Sequence, residues 1–86
     1  MDDLEARVIE ILAAQALIDP ASIRAEDDPA AIGLDSLGMV EAIFAIEEAF
    51  GISVPFNANE PEASGFDIST VGAVVAGVRR LVAAKA

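Results

Sequence analysis

The sequence contains no cysteine and no histidine, and these two absences exclude several classes of catalytic and metal site. Without cysteine the chain forms no disulfide and offers no thiolate to a metal. Without histidine as well, it cannot assemble a Ser-His or Cys-His nucleophile pair or the usual zinc sites. At 86 residues, the length of one small domain, a deep catalytic cleft is also not expected. We therefore predict a protein that is not an enzyme and that holds no metal.

Positive charge and long apolar runs are also scarce. The chain has 15 acidic and 5 basic residues, a formal net charge of −10, and no lysine or arginine between residues 25 and 78. Because nucleic acid and anionic membranes are bound through lysine and arginine, this surface favours basic protein partners instead. No apolar run approaches membrane-spanning length and the first residues are acidic, so we expect a soluble cytoplasmic protein without membrane insertion. A hydrophobic content of 55% predicts a folded core.

The first part of the chain predicts a helix followed by a long connection. Apolar residues recur at helical spacing over residues 4–17, and acidic residues precede them, which favours a helix start. Pro20 ends this helix, because proline cannot continue a helix interior. The connection covers residues 18–35, with a short helical turn predicted over 28–31. Its apolar residues are expected to anchor it to the core; they are Ile23, Ile32 and Leu34.

The second predicted helix covers residues 36–50 and ends at Gly51, a residue suited to the left-handed C-cap conformation. One face of this helix is apolar and is predicted to be buried. A neighbouring face mixes two large apolar side chains, Leu37 and Phe44, with carboxylates. These two side chains either widen the core or contact a partner.

After this helix, residues 52–56 are predicted to be extended and residues 57–65 to form a turn-rich loop with one irregular helical turn. Ser69 or Thr70 is expected to cap a last helix. Valine is a weak helix former, but the apolar spacing of three and four favours a helix over a strand. The apolar residues of this helix are Val71, Val74, Val75, Val78, Leu81 and Val82.

Ser36 stands at the predicted start of the second helix, within Gly33-Leu34-Asp35-Ser36-Leu37. The first turn of a helix leaves backbone N–H groups unpaired and carries the positive end of the helix dipole. A serine hydroxyl there is a favourable attachment point for a phosphodiester. Taken alone, however, Asp-Ser-Leu before a helix is an N-cap pattern, so the surrounding residues must distinguish an attachment site from a simple cap.

Residues 33–37, followed by Val40-Glu41 and by residues 46–55, resemble the acyl carrier proteins of fatty acid and polyketide synthesis. The similarity extends to the first helix, through Arg7-Val8 and Gln15, and to residues 68–71. It implies an all-α fold, an acyl-carrier-like four-helix bundle with a long first loop and a short or irregular third helix. It also implies that residues 1–86 form a single acyl carrier domain.

The resemblance further implies a discrete, non-catalytic acyl carrier with 4′-phosphopantetheine attached covalently to Ser36. A phosphopantetheinyl transferase, or holo-protein synthase, would install the group from coenzyme A, with Asp35 helping to orient the serine. Acyl groups would be held on the terminal thiol as thioesters and shuttled between enzymes of fatty acid, specialised lipid or polyketide synthesis. This cofactor would supply the sulfur chemistry that a cysteine-free chain lacks.

Two groups of residues are candidates for binding by virtue of the same resemblance. We expect the carrier to be a monomer whose second helix is bound by enzymes with basic docking patches. These enzymes would be acyl-transferring, condensing or ligase enzymes. The residues expected at the contact are Leu37, Glu41, Phe44, Glu47 and Glu48. Acyl chains are expected between apolar side chains, for each of which ordinary core packing is the alternative; the candidates are Val40, Ile43, Ile46, Phe50, Val54, Phe56, Val71 and Val75.

Three departures from the family pattern indicate a specialised member. Gly38 lies in the first turn of the second helix, no aromatic residue lies around residues 27–29, and the segment between Pro55 and Thr70 is several residues longer. Two alternative functions remain open. The chain is either a peptidyl or aminoacyl carrier, or an unmodified interaction subunit that binds basic proteins through the same fold.

Overall fold

The computed structural model describes residues 2–55 and 66–85, and within them the chain forms only helices, turns and irregular segments. This confirms the predicted all-α class. The predicted loop over 57–65, the short or irregular third helix and Phe56 lie outside the described residues. The described helices are α1 (Asp3–Ala16), a short 3-10 helix (Pro20–Ser22), α2 (Ser36–Phe50) and α3 (Val71–Lys85).

Helix α1 begins and ends close to the predicted residues. Asp2 is its N-cap, and the Asp2 carboxylate accepts the backbone N–H of Glu5 at 2.9 Å. The same carboxylate accepts a hydrogen bond from the Arg79 guanidinium of α3 at 2.6 Å. At the other end, Leu17 adopts the left-handed conformation with φ of 61°. The start of α1 is therefore held both by its own cap and by an ion pair to α3.

The connection between α1 and α2 is anchored as predicted. Ile23 and Leu34 are buried, and Ile32 packs against the core. The helical turn predicted over 28–31 is present as a single turn, in which the Asp28 carbonyl accepts the Ala31 N–H at 2.8 Å and the Ile32 N–H at 3.3 Å. The Asp28 carboxylate accepts the Ala30 N–H at 2.9 Å, which is the hydrogen bond of an N-cap residue.

The same connection supplies hydrogen-bond acceptors to the start of α3. The Val71 N–H donates to the carbonyl of Asp27 at 2.8 Å, and the Gly72 N–H donates to the carbonyl of Ala25 at 2.7 Å. The Thr70 hydroxyl accepts a third backbone N–H of the first turn at 3.0 Å, so Thr70 rather than Ser69 provides the predicted cap. The N–H groups in the first turn of a helix lack acceptors within the helix. In α3, two of these N–H groups find their acceptors in the long connection.

The core lies where α1 packs against both α2 and α3. Within the described ranges every buried side chain is apolar. A fully buried leucine, isoleucine or valine contributes about 1.5–3 kcal/mol relative to exposure, so these contacts provide much of the stability. The predicted apolar faces of the second and last helices are buried; from α2 they contribute Met39, Ala42, Ile43 and Ile46, and from α3 Val71, Val74, Val75 and Val78.

One core contact was not predicted. Phe66, which precedes α3, is 3% exposed, and its ring lies directly against Gly77 of α3. A Cβ atom at Gly77 would stand 2.6 Å from the Phe66 Cε2 atom. Only glycine permits this close approach between the helix backbone and the ring.

The structure places no membrane-spanning helix in residues 2–55 or 66–85, since no helix there has both the length and the apolar character to cross a bilayer.

Candidate functional site

Ser36 is the first residue of α2 and is exposed to solvent. Asp35 precedes it in an extended conformation, with φ of −77° and ψ of −174°. The Asp35 carboxylate accepts the Gly38 N–H at 2.7 Å, and its carbonyl accepts the Met39 N–H at 2.8 Å. These two hydrogen bonds hold the helix start immediately beside an accessible serine hydroxyl.

The hydrogen bond between the Asp35 carboxylate and the Gly38 N–H bears on the predicted role of Asp35 in orienting Ser36. One of its carboxylate oxygens is engaged in capping α2, so the side chain is held against the first turn of the helix. The absence of a side chain at Gly38 matters here, because a Cβ atom there would lie 3.2 Å from the engaged Asp35 oxygen. That Asp35 orients Ser36 for modification stays a prediction.

The neighbouring face of α2 carries exposed apolar side chains. Leu37 is 66% exposed and Phe44 is 61% exposed. Of the two alternatives for these residues, widening of the core is therefore wrong. They flank the exposed carboxylates of Glu41 and Glu48 on the same helix. The resulting surface combines apolar contact area with negative charge, a combination suited to a protein partner.

Two of the three glutamates predicted to bind partners also have contacts within the protein. The Glu41 carboxylate accepts a hydrogen bond from the Gln15 side-chain amide of α1 at 2.5 Å. Glu47 is half-buried, and its carboxylate accepts the Val54 N–H at 2.7 Å. Helical spacing alone does not reveal either contact, because both join α2 to another part of the chain.

The charge along α2 is asymmetric. The helix itself carries three glutamates and no basic residue. At its C-terminal end, the Lys85 ammonium group of α3 donates to the Phe50 carbonyl at 3.1 Å. A cation at a helix C-terminus is favourable because it lies at the negative end of the helix dipole. At the opposite end, where Ser36 lies, the helix carries no basic side chain.

The structure brings most of the candidate acyl-lining residues together in one apolar cluster. Phe50 packs against this cluster, Val40 is half-buried at the margin of α2, and Phe56 lies outside the described residues. A separate open groove of about 390 Å³ lies between α1 and α2 and is lined by none of these residues. Their role in sheltering an acyl chain stays a prediction; those buried in the cluster are Ile43, Ile46, Val54, Val71 and Val75.

The residues around Ser36 fit a phosphopantetheine group. The hydroxyl is exposed at the end of a fifteen-residue helix. A phosphodiester on this oxygen would lie at the positive end of the helix dipole while remaining in contact with water. The side chains on either side, Asp35 and Leu37, are themselves exposed. A long flexible group attached here would meet no obstruction from them.

The sequence of the chain matches a known family over most of its length. The model of the family described as a phosphopantetheine attachment site matches residues 6–78, a range that includes the whole of α2. Proteins of this family carry 4′-phosphopantetheine attached covalently to a serine. The match confirms the family resemblance and the cofactor that it implies. The chain belongs to the phosphopantetheine attachment family, the family that includes the acyl carrier proteins its sequence resembles.

Proposed function

We propose that Ser36 is the attachment residue and that the chain is a discrete acyl carrier, with residues 1–86 forming one carrier domain. The observation that supports this most directly is the exposed Ser36 hydroxyl at the first residue of α2, held beside the Asp35 cap. When attached, 4′-phosphopantetheine supplies a terminal thiol on which acyl groups are held as thioesters.

The chain's own residues have three roles in this proposal. Asp35 holds the helix start and thereby positions the Ser36 hydroxyl for the phosphopantetheinyl transferase. The exposed face of α2 binds basic patches on the transferase and on acyl-transferring, condensing or ligase enzymes of fatty acid, specialised lipid or polyketide synthesis. Exposed ion pairs contribute at most about 1 kcal/mol each, so this face favours brief contacts with several enzymes over one stable complex.

The attachment residue is tested by measuring intact mass. The purified protein is incubated with coenzyme A and a promiscuous phosphopantetheinyl transferase, and we expect a gain equal to one phosphopantetheine group. Ser36→Ala should abolish the gain. Ser53→Ala, at another exposed serine, is the matched control and should keep it. No gain in the wild-type protein, or a gain that survives Ser36→Ala, would refute the proposal.

The cargo is tested on the modified protein with a panel of ligases and acids. Loading with fatty or polyketide-type acyl groups is the result expected for an acyl carrier. Selective loading with amino acids would identify a peptidyl or aminoacyl carrier instead. Mass measurement on protein purified from its native host tests the remaining alternative, because an unmodified interaction subunit would contain no phosphopantetheine.

A further inference from the structure

Helices α2 and α3 run in the same direction, and both begin at the end of the molecule where Ser36 lies. The Gln15 amide, near the end of α1, donates to Glu41 in the first half of α2. Asp2, at the start of α1, pairs with Arg79 in the second half of α3. Helix α1 packs against both other helices and is therefore antiparallel to each of them. Since α2 and α3 are thus parallel, the space between them begins at the Ser36 end.

Ser36 lies on the flank of α2 that borders this space. Glu41 and Ala45 mark the flank next to α1, because Glu41 accepts the Gln15 hydrogen bond and Ala45 lines the groove between the two helices. At 3.6 residues per turn, Ser36 and Ile43 lie about half a turn around the helix from Ala45. Ile43 is nonetheless buried, so its flank faces the core on the side that α1 leaves uncovered. The other helix packed on that core is α3.

The Phe66 ring occupies the same space from the α3 side. Gly77, Leu81 and Lys85 follow one another at intervals of four residues and so form one row along α3. The Lys85 ammonium donates to the Phe50 carbonyl of α2 at 3.1 Å, which shows that this row faces α2. The Phe66 ring lies directly on Gly77, and Phe66 is 3% exposed. The ring is therefore a buried obstacle between the two helices.

This obstacle lies part-way along the helices. Gly77 follows Val71, the first residue of α3, by six positions, which corresponds to about 9 Å along the helix axis. An extended alkyl chain advances about 1.3 Å per carbon, so a chain that enters at the Ser36 end meets the Phe66 ring after about seven carbons. A longer chain would have to displace an aromatic side chain from a packed core, which is unfavourable.

We propose that Phe66 is a specificity-determining residue that limits the acyl group sheltered between α2 and α3 to short chains of about seven or eight carbons. The inference rests on the proposed carrier function, in which the apolar core shelters the cargo. Gly77 makes room for the ring, so the two residues set the limit together. Phe66 belongs to the lengthened segment between Pro55 and Thr70, and the limit gives this departure from the family pattern a role.

The first experiment compares loaded forms of different chain length. The protein is loaded from saturated acyl-coenzyme A substrates, from butyryl to palmitoyl, with the promiscuous transferase, and the melting temperature of each form is measured. Because each buried carbon stabilises the fold, the melting temperature should rise by at least about 3 °C for each added pair of carbons up to about octanoyl, and then stay level. In Phe66→Leu the rise should continue for at least about two further carbons.

Ile9→Val is the control, because it shortens a buried side chain of α1 and should lower every melting temperature without moving the limit. The position of the limit is therefore a readout that a general loss of stability does not change. An equal limit in the wild type and Phe66→Leu would overturn the proposal. A rise that continues to palmitoyl in the wild type, or no rise at any length, would do so as well.

The second experiment needs no substitution. In the octanoyl form, NMR should show a nuclear Overhauser effect between the terminal methyl group of the cargo and the Phe66 ring, and in the butyryl form it should not. Absence of this contact in the octanoyl form would overturn the proposal. Failure of the carrier function is distinguishable, because it appears as absent mass gain at Ser36 and removes both proposals, whereas a loaded protein without a length limit contradicts only the role of Phe66.

Discussion

Replacement of Gly77 by alanine tests the packing of Phe66 on α3. In an exposed helix interior, glycine to alanine stabilises a protein by about 0.8–1 kcal/mol. Here the new Cβ atom would lie 2.6 Å from Cε2 and 2.9 Å from Cζ of the buried Phe66 ring. Forcing extra atoms into a packed core costs about 1–3 kcal/mol. The steric cost therefore exceeds the gain in helix propensity.

We expect a net loss of about 1 kcal/mol, which in a domain of this size lowers the melting temperature by about 4–8 °C. Thermal and urea unfolding followed by far-UV circular dichroism measure both quantities. Ala76→Gly is the calibrating variant, because Ala76 is the exposed neighbour in the same helix and its replacement changes only the helix propensity. It should cost about 0.8–1 kcal/mol.

The decisive measurement repeats the substitution in a Phe66→Leu background. Leucine lacks the two ring atoms that come closest to Gly77, so the collision is relieved and only the propensity gain remains. Gly77→Ala should then stabilise the protein by about 0.8–1 kcal/mol, a reversal of sign. A stabilising effect in the wild type, or the same effect in both backgrounds, would show that the ring does not restrict this position.

Three further outcomes are expected. Hydrogen bonds from Arg79 and from the α1 backbone lower the pKa of Asp2. The ionised Asp2 carboxylate therefore stabilises the folded protein above about pH 4, and this stabilisation is lost as pH falls through the lowered pKa. In pH-dependent melting, Asp2→Asn should therefore be less stable than the wild type at neutral pH and approach it in acid; a constant difference would contradict this. Leu17 is 90% exposed and adopts a left-handed conformation, so Leu17→Gly should stabilise the protein by about 0.5–1 kcal/mol in urea unfolding. Leu17→Ala keeps a Cβ atom and should show no such gain. Added magnesium or sodium chloride should raise the melting temperature by screening the net charge of −10, and a flat or falling melting temperature would count against self-repulsion.

The elements that were predicted accurately are those with local signals. The bounds of α2 follow from Asp35 and Ser36 at one end and Gly51 at the other, and Gly51 does adopt a positive φ of 64°. Caps and C-terminal glycines act within a few residues, so their effect is visible in the sequence. The turn over 28–31 also follows from a local signal, because Asp28 caps it and Pro29 occupies its first position.

The contacts that were missed join distant parts of the chain. Phe66 lies among turn residues in the sequence, and an isolated aromatic there signals an anchor without indicating its partner. That the partner is Gly77 depends on how the segment approaches α3. The Glu47 contact with Val54 likewise depends on the path of the chain after α2. Charge distribution and periodicity identify the charged face, and the family resemblance of the residues around it identifies the serine. Tertiary geometry decides which carboxylates have internal partners.

The hydrogen bonds between the long connection and α3 affect how the protein opens. Asp27 and Ala25 accept N–H groups from residues more than forty positions later in the sequence. Unwinding the start of α3 therefore also releases residues 25–27. These two regions should behave as one cooperative unit, protected from or exposed to a protease together, although the chain separates them by the whole of α2.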